Sequence, residues 1–466
     1  MVQIKFGTDG WRAIIAKEYT TDNVARVTAA VAKWLNKNYK DPKIVIGFDC
    51  RFGGPMFAEV ATKVFCENGV KVLFDKHFTT TPMVSLGTVR LGAQQGIVIT
   101  ASHNPPTYNG YKLKADYGGP SNSDVIAQVE KMIIKTAKIP SKSLEEYEAE
   151  GLLEYIDLES LYLKEVKENF DLKKIKKSGI KIAYDAMYGA GQSVLPKILP
   201  NAELLHCEEN PSFMGQAPEP LHRNLQELSK FIKKNKDITA GLANDGDADR
   251  IGLYDEKGKF IDSHHILLLL IHYLHHYKGM SGKVVTSFSL TGKVEKMCEH
   301  YGLEHEWTKI GFKHISPVMV EEDVLIGGEE SGGIAVKGFI PERDGIWVGL
   351  LVFEFMATTG KSLTELIKEV YKIVGKFHFE RNDLHITDEL KKSIMANCAE
   401  GKYTEFGDYK VEKIETIDGY KFHFSDKEWV MIRPSGTEPV LRVYAEAPSK
   451  KKVDAVLDAV KGVLLK

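Results

Sequence analysis

The sequence is poor in the features that mark most specialised protein classes. Its 466 residues hold five cysteines, Cys50, Cys66, Cys207, Cys298 and Cys398, scattered and never in a C-x-x-C pair. That spacing excludes a disulfide framework and a thiolate zinc site and points to a reducing cytoplasm. No hydrophobic run approaches a membrane span, and the longest aliphatic stretch, 266–271, is flanked by histidines. Residues 1–5 lack the apolar run of a secretory signal. Charge of one sign is also missing. The formal net charge is -2, so no overall field draws nucleic acid or an anionic membrane, and neither partner is expected. An anionic ligand must be captured by local arginines, lysines and backbone amides.

Nucleotide-binding loops are absent as well. Thr359-Gly360-Lys361-Ser362 ends like a phosphate loop, but Phe355 stands where that motif needs glycine. No G-x-G-x-x-G follows a strand. Asp245, Asp247, Asp249 and Glu256 match positions of a calcium-binding EF-hand, yet its required glycine is Arg250 and the flanks read as strands.

What is present is a soluble, globular balance, 43% hydrophobic and 27% charged, in a chain long enough for three or four domains. Strands at 43–48, 70–74 and 96–99 alternate with helices at 24–35, 57–68 and 121–137, which argues for a mostly parallel sheet. Residues 138–153 read as the loose end of this first unit. A second unit begins with a helix near 157 and a strand at 180–184. It closes with strands 238–243 and 250–254 around an aspartate-rich loop. A third runs from a helix at 262–277 through strands 284–288, 304–309 and 324–327 to an apolar helix at 346–358. Beyond 377, strands 409–416, 421–424, 429–433 and 440–446 and a helix at 451–465 indicate a small α+β domain. The expected domains are 1–155, 156–261, 262–376 and 377–466. The histidines at 264, 265, 272, 275 and 276 read as helix-surface residues rather than a metal site.

Several loops carry chemistry-bearing residues. Ser102 and His103, in Thr100-Ala101-Ser102-His103-Asn104-Pro105, follow a buried strand directly. Open α/β sheets bind ligands at that end of their strands, although a capped polar loop has the same pattern. Asp245-Gly246-Asp247-Ala248-Asp249-Arg250 places three carboxylates at alternate positions. Hard oxygens suit Mg²⁺, and like charges so close repel unless a cation joins them; a solvated acidic turn is the alternative. Lys112, ten residues after Ser102, reads as a charge clamp, an acid/base or a solvated lysine. His103 reads as a base or a loop hydrogen-bonder. Gly328-Glu329-Glu330-Ser331-Gly332-Gly333 offers a carboxylate and a hydroxyl to a sugar. Arg433-Pro434-Ser435-Gly436-Thr437-Glu438-Pro439 offers a guanidinium, hydroxyls and backbone amides to a phosphate, with a plain hairpin turn as the alternative. Arg12 projects from a tight turn at Phe6-Gly7-Thr8-Asp9-Gly10-Trp11.

Taken in this order, the loops resemble those of the α-D-phosphohexomutase family, the phosphoglucomutases and phosphomannomutases. The resemblance implies an α/β protein: three related mixed α/β domains plus a C-terminal α+β, TATA-binding-protein-like domain, around a central cleft. It implies that Ser102 carries a phosphoryl group, held with Mg²⁺ by Asp245, Asp247 and Asp249. Glu329 and Ser331 would bind sugar hydroxyls. Arg433, Ser435, Gly436 and Thr437 would bind the phosphate that is not reacting. Arg12, Arg250 and Lys112 would surround the transferred phosphoryl group, with Lys112 a candidate acid/base. His103, Lys313 and His314 fall at further basic positions. The implied reaction interconverts hexose 1-phosphate and hexose 6-phosphate through a hexose 1,6-bisphosphate, which also activates the enzyme. Glu330 resembles the phosphoglucomutase form, favouring glucose with mannose phosphates as further substrates. Gly333 and Ala13 depart from variants common in other subgroups, and phosphoglucosamine mutase is the alternative within the family. A cytoplasmic monomer or dimer acting on small sugar phosphates is expected.

Two other classes compete. Asp245-x-Asp247 after an apolar strand also resembles the nucleophile loop of haloacid-dehalogenase phosphohydrolases, in which Asp245 and not Ser102 would be phosphorylated. The third is a non-catalytic sugar-phosphate binding protein.

Overall fold

Ile44, Val45 and Ile46 are consecutive branched residues, all fully buried. A strand covered on both faces accommodates such a run. In the computed structural model, which describes residues 2–434 and 440–465, strand Lys43–Phe48 lies inside a six-stranded sheet. Gln95–Ile99 and Lys71–Phe78 flank it in parallel. Ile44, Ile46, Ile97 and Ile99 pack with helices Thr21–Asn38 and Gly54–Glu67. Val45, Leu73 and Val98 pack with helix Thr81–Arg90 on the other face. Tyr108–Ala115 and Trp11–Ile14 close one edge antiparallel, and Leu153–Tyr155 closes the other in parallel.

Two smaller mixed sheets follow. One orders Phe260–Ile261, Ile251–Tyr254, Ala240–Asn244, Ile182–Asp185 and Glu203–Leu205. The other orders His305–Thr308, Lys283–Ser287, Val324–Gly328 and Ile334–Val336. The C-terminal sheet is fully antiparallel and packs one face on helices Asp388–Ala399 and Lys450–Leu464. The chain is therefore three mixed α/β units followed by an α+β unit.

One device recurs in all four. Each unit contains an antiparallel pair of consecutive strands, and the connection between them is a candidate functional loop. Residues 100–107 link Gln95–Ile99 to Tyr108–Ala115, and 245–250 link Ala240–Asn244 to Ile251–Tyr254. Residues 329–333 link Val324–Gly328 to Ile334–Val336. Positions 435–439 link Glu428–Pro434 to Val440–Ala447, so the expected ligands Ser435, Gly436 and Thr437 lie outside the described residues.

Helix Gly345–Thr359 is almost wholly buried in the largest core cluster. Asp344 caps it, accepting from the Ile346 and Trp347 amides, and the Gly345 amide donates to the Ala248 carbonyl at 3.0 Å. Its first residue thus braces the aspartate loop. Among the described residues no single helix is long and apolar enough to cross a membrane.

The structure departs from the sequence reading at several places. Residues 138–153 are not a loose end: Ser143 and Glu146 form a capping box for helix Leu144–Ala149, and Leu153–Tyr155 becomes a sheet edge. Strand His378–His385 and helix Asp388–Ala399 had no clear apolar period, because the strand is only partly covered and the helix buries only Ile394 and Cys398. The expected strand 409–416 is broken into Tyr409–Lys410 and Lys413–Glu415. His264 and His272 are buried rather than on the helix surface; His264 accepts from the Thr291 amide and packs on Phe379.

Candidate active site

Ser102 adopts φ 53°, a left-handed backbone that costs a non-glycine residue about 1–3 kcal/mol and is kept only where neighbours impose it. Its amide donates to Thr100 Oγ1 at 2.8 Å, and Thr100 in turn donates to Asp49 Oδ2 at 2.5 Å. Arg51, fully buried, spreads its guanidinium over four carbonyls of the same loop. Nη2 donates to Ser102 and Asn104 at 2.5 and 2.6 Å, and Nη1 to Pro105 and Tyr108 at 2.9 and 3.1 Å. Asp49 balances that charge from 3.3 Å, and its own pKa is pushed up to about 6, chiefly by burial. Only a planar five-donor group can bind four acceptors in this way. Arg51→Lys is expected to raise amide hydrogen exchange across 101–108 by roughly tenfold or more, read by mass spectrometry.

The Ser102 hydroxyl donates to Asp245 Oδ2 at 2.7 Å. Gly246 permits this approach, since a Cβ there would sit 2.6 Å from the Ser102 carbonyl. His103 Nδ1 lies 3.3 Å from Ser102 Oγ. Burial, together with Arg250, Arg12, Arg51 and Lys112, holds the His103 pKa well below its usual value, which favours the neutral imidazole. Arg12 Nη1 donates to Asn104 Oδ1 at 2.8 Å, and burial lowers the Arg12 pKa, with Asp9 opposing and Arg250 adding repulsion. The Arg250 charge that repels Arg12 adds to a local field that favours an anion.

Asp245, Asp247 and Asp249 are fully buried, with ligand oxygens all within 4.8 Å of one another. They are not a solvated turn. Burial and then repulsion from Asp249 and Asp247 raise the Asp245 pKa well above the carboxylate range. Lys112 is equally buried and binds Asp247 and Asp249 at 2.7 and 2.9 Å and Asp9 at 3.0 Å. Burial opposes its charge, but these three carboxylates outweigh that and raise its pKa. Lys112 is therefore a protonated clamp, not a surface lysine. Thr81 donates to Asp247 Oδ2 at 2.5 Å. After these bonds Asp247 Oδ1 and Asp249 Oδ1 stay buried with no hydrogen-bond partner. Orphaned hard oxygens beside a third carboxylate and a serine hydroxyl fit Mg²⁺.

Arg343 ties this loop to the next. Its Nη2 contacts Asp9 and lies 2.8 Å from Asp249 Oδ2, and its Nη1 lies 3.6 Å from Glu329 Oε2. Glu329 is buried, and burial raises its pKa against the pull of Arg343. Ser331 is half-buried in the same turn. Glu330 faces the C-terminal sheet and pairs with Arg381 at 3.4 Å. Arg433 Nε donates to Asp418 Oδ1 at 3.1 Å, and Asp418 also accepts from the Ile310 amide at 2.9 Å.

The structure thus joins Ser102, His103, Arg12, Lys112 and the three aspartates in one cluster, linked through Arg343 to Glu329. Arg250 gives its amide to Asp245 Oδ1 at 3.0 Å, while its guanidinium lies 3.6 Å from Glu219. Lys313 lines a small cavity of about 150 Å³ with Asp9 and Gly10. His314 lies in the same short helical turn, Phe312–His314. Sequence reasoning missed Asp9, Arg51, Thr81, Arg343 and Arg381 as site residues. Arg51 had a signal, since Asp49-Cys50-Arg51 follows a buried strand as Ser102 does; Arg343 and Arg381 had none.

Comparison with known proteins places these loops in one family. Residues 3–139, 160–258 and 262–374 match, in turn, the models for alpha/beta/alpha domains I, II and III of phosphoglucomutase/phosphomannomutase. Residues 389–463 match its C-terminal domain. A phosphoglucomutase/phosphomannomutase of Thermococcus kodakarensis is 31% identical over 97% of this chain and 96% of its own length. A phosphoglucosamine/phosphogalactosamine mutase of Sulfurisphaera tokodaii is 29% identical over 98% of both. The crystal structure of a Thermus thermophilus protein given the phosphomannomutase name superposes with a TM-score of 0.87, at 30% identity over all of both chains.

Proposed function

We propose, for a chain that belongs to the phosphoglucomutase/phosphomannomutase (α-D-phosphohexomutase) family, that it interconverts glucose 1-phosphate and glucose 6-phosphate through phosphorylated Ser102. Mannose phosphates are read as further substrates. The observation that carries this reading is the Ser102 hydroxyl at 2.7 Å from Asp245, inside a buried cluster of three carboxylates. A phosphoryl group on that oxygen meets like charge on one side and cationic side chains on the other. This is a place to hold and hand over phosphate.

The steps follow from the chain's own groups. Glu329 and Ser331 take hydroxyls of the sugar. Arg433, with Ser435, Gly436 and Thr437, holds the distal phosphate. The sugar's free hydroxyl oxygen attacks phosphorus as the bond from phosphorus to Ser102 Oγ breaks, and the proton of the incoming hydroxyl ends on Ser102 Oγ, which leaves the serine hydroxyl and a neutral His103 beside it. Arg12, Arg250 and protonated Lys112 neutralise the charge that develops. Mg²⁺, held by Asp245, Asp247, Asp249 and the phosphorylated Ser102, would draw charge from the transferring group. The hexose 1,6-bisphosphate so formed turns over, and the same steps in reverse restore phosphorylated Ser102. Supply of the bisphosphate also loads an unphosphorylated enzyme. Burial of the site limits loss of phosphate to water. The reading is of a cytoplasmic enzyme, monomeric or dimeric, acting on small sugar phosphates.

Interconversion assays with glucose, mannose, glucosamine and N-acetylglucosamine phosphates, each started with its 1,6-bisphosphate, test this. Release of free phosphate alone would favour the phosphohydrolase instead. A second reading, phosphoglucosamine mutase, is favoured by the name of the Sulfurisphaera tokodaii relative. Glu329→Gln keeps the shape of the acceptor and loses its charge. We expect KM for the sugar phosphate to rise about 10- to 100-fold, the worth of hydrogen bonds to a charged group, with Ser102 still loaded when assayed by intact mass.

A further inference from the structure

Gly333 is not explained by its backbone, which lies outside the left-handed region. Space explains it. A Cβ at 333 would sit 2.3 Å from Arg343 Cδ and 3.0 Å from its Cγ. The missing side chain is replaced by the stem of buried Arg343, whose guanidinium carbon lies over the Phe312 ring at 5.5 Å. From there one guanidinium reaches carboxylates on three loops: Asp9 and Asp249 at Nη2, Glu329 at Nη1. Glu342 stands 3.8 Å from Nε. A bulkier residue at 333 and a threaded Arg343 cannot coexist in this arrangement.

We propose that Arg343 is a positioning residue that sets Glu329 against Asp249, and that Gly333 is the residue that admits it. The inference rests on the mutase reading above. A guanidinium fork presents its two nitrogens in fixed relative directions, which a single ammonium does not: here Nη2 is hydrogen-bonded to Asp249 at 2.8 Å and Nη1 is ion-paired with Glu329 at 3.6 Å. The sugar-binding turn and the aspartate loop are then one rigid unit, so the distance from captured hydroxyls to Ser102 is held without any contact of Arg343 with the sugar.

A double-mutant cycle tests this. Gly333→Ala is expected to lower kcat/KM by roughly tenfold or more in the wild-type background, because it expels Arg343. In an Arg343→Ala background the same change meets no Cδ and is expected to cost less than about twofold. Arg343→Lys is expected to lose kcat while keeping its melting temperature, and millimolar guanidinium is expected to restore part of the Arg343→Ala rate but none of the Arg343→Lys rate. Equal losses for Gly333→Ala in both backgrounds, with active wild type, would overturn the proposal and leave the mutase reading intact. A wild type that interconverts none of the sugar phosphates would overturn both. Variants that melt early but show the non-additive cycle still support the coupling.

Discussion

Ser102→Ala is expected to lower the interconversion rate by about 10⁴-fold or more, the scale seen when a covalent carrier is removed from an otherwise complete site. The substitution deletes the only atom on which the proposed route places the phosphoryl group. It should spare the rest of the site. Arg51 binds the Ser102 carbonyl, not its side chain, and Thr100 binds its amide. The loop is therefore held by contacts that alanine retains. We expect near-wild-type affinity for hexose 6-phosphate by calorimetry and a melting temperature within a few degrees of the parent. Intact mass after incubation with the bisphosphate should show one added phosphoryl group on the wild type and none on the variant. Full activity in Ser102→Ala would end the phosphoserine route and return Asp245 to consideration as the acceptor.

The second large effect belongs to Asp245 itself. Asp245→Asn replaces a carboxylate whose charge burial and the neighbouring Asp249 and Asp247 already disfavour, and leaves an amide whose oxygen still accepts from Arg250 and whose nitrogen still meets Ser102 Oγ. Repulsion within the cluster falls. The metal-free variant is expected to melt no lower than the metal-free wild type when both are scanned in chelator. Mg²⁺ affinity and kcat should each fall by about 10²-fold or more, since a hard, charged ligand has been lost. The combination is diagnostic: a residue kept only for packing would lose stability and spare metal affinity. A variant that binds Mg²⁺ as tightly as the parent, by direct titration, would place the cation elsewhere.

Glu329 and Arg343 show where sequence reading stops. Glu329 was legible because a carboxylate and a serine framed by glycines form a local pattern. Arg343 lies ten positions beyond Gly333, in a stretch with no motif, and its partners come from residues 9, 249 and 329. Such a site has no period and no spacing. Arg381 was hidden for the same reason: its partner Glu330 lies on another unit, 51 positions earlier. Lys112 was ambiguous in the sequence because a lone lysine on a strand carries no sign of burial; only the three carboxylates converging on it distinguish a clamp from a solvated side chain.

The sequence by itself determined which loops carry chemistry-bearing residues. Buried strands announce themselves by continuous apolar runs such as 44–46 and 97–99, and the residues that end them, Ser102, Asp245 and Glu329, are readable because local chemistry is written locally. It also determined the alternation of strands and helices from which three α/β units and a final α+β unit follow. Tertiary structure alone decided that the strands flanking each of the four loops pair antiparallel, that Ser102 Oγ meets Asp245 across 143 positions, and that Lys112 and Arg343 draw Asp9, Asp247, Asp249 and Glu329 into one cluster. The physical reason is range. Backbone pattern and turn chemistry act over a few residues, whereas burial, desolvation and pairing of charges exist only once distant segments have been packed together.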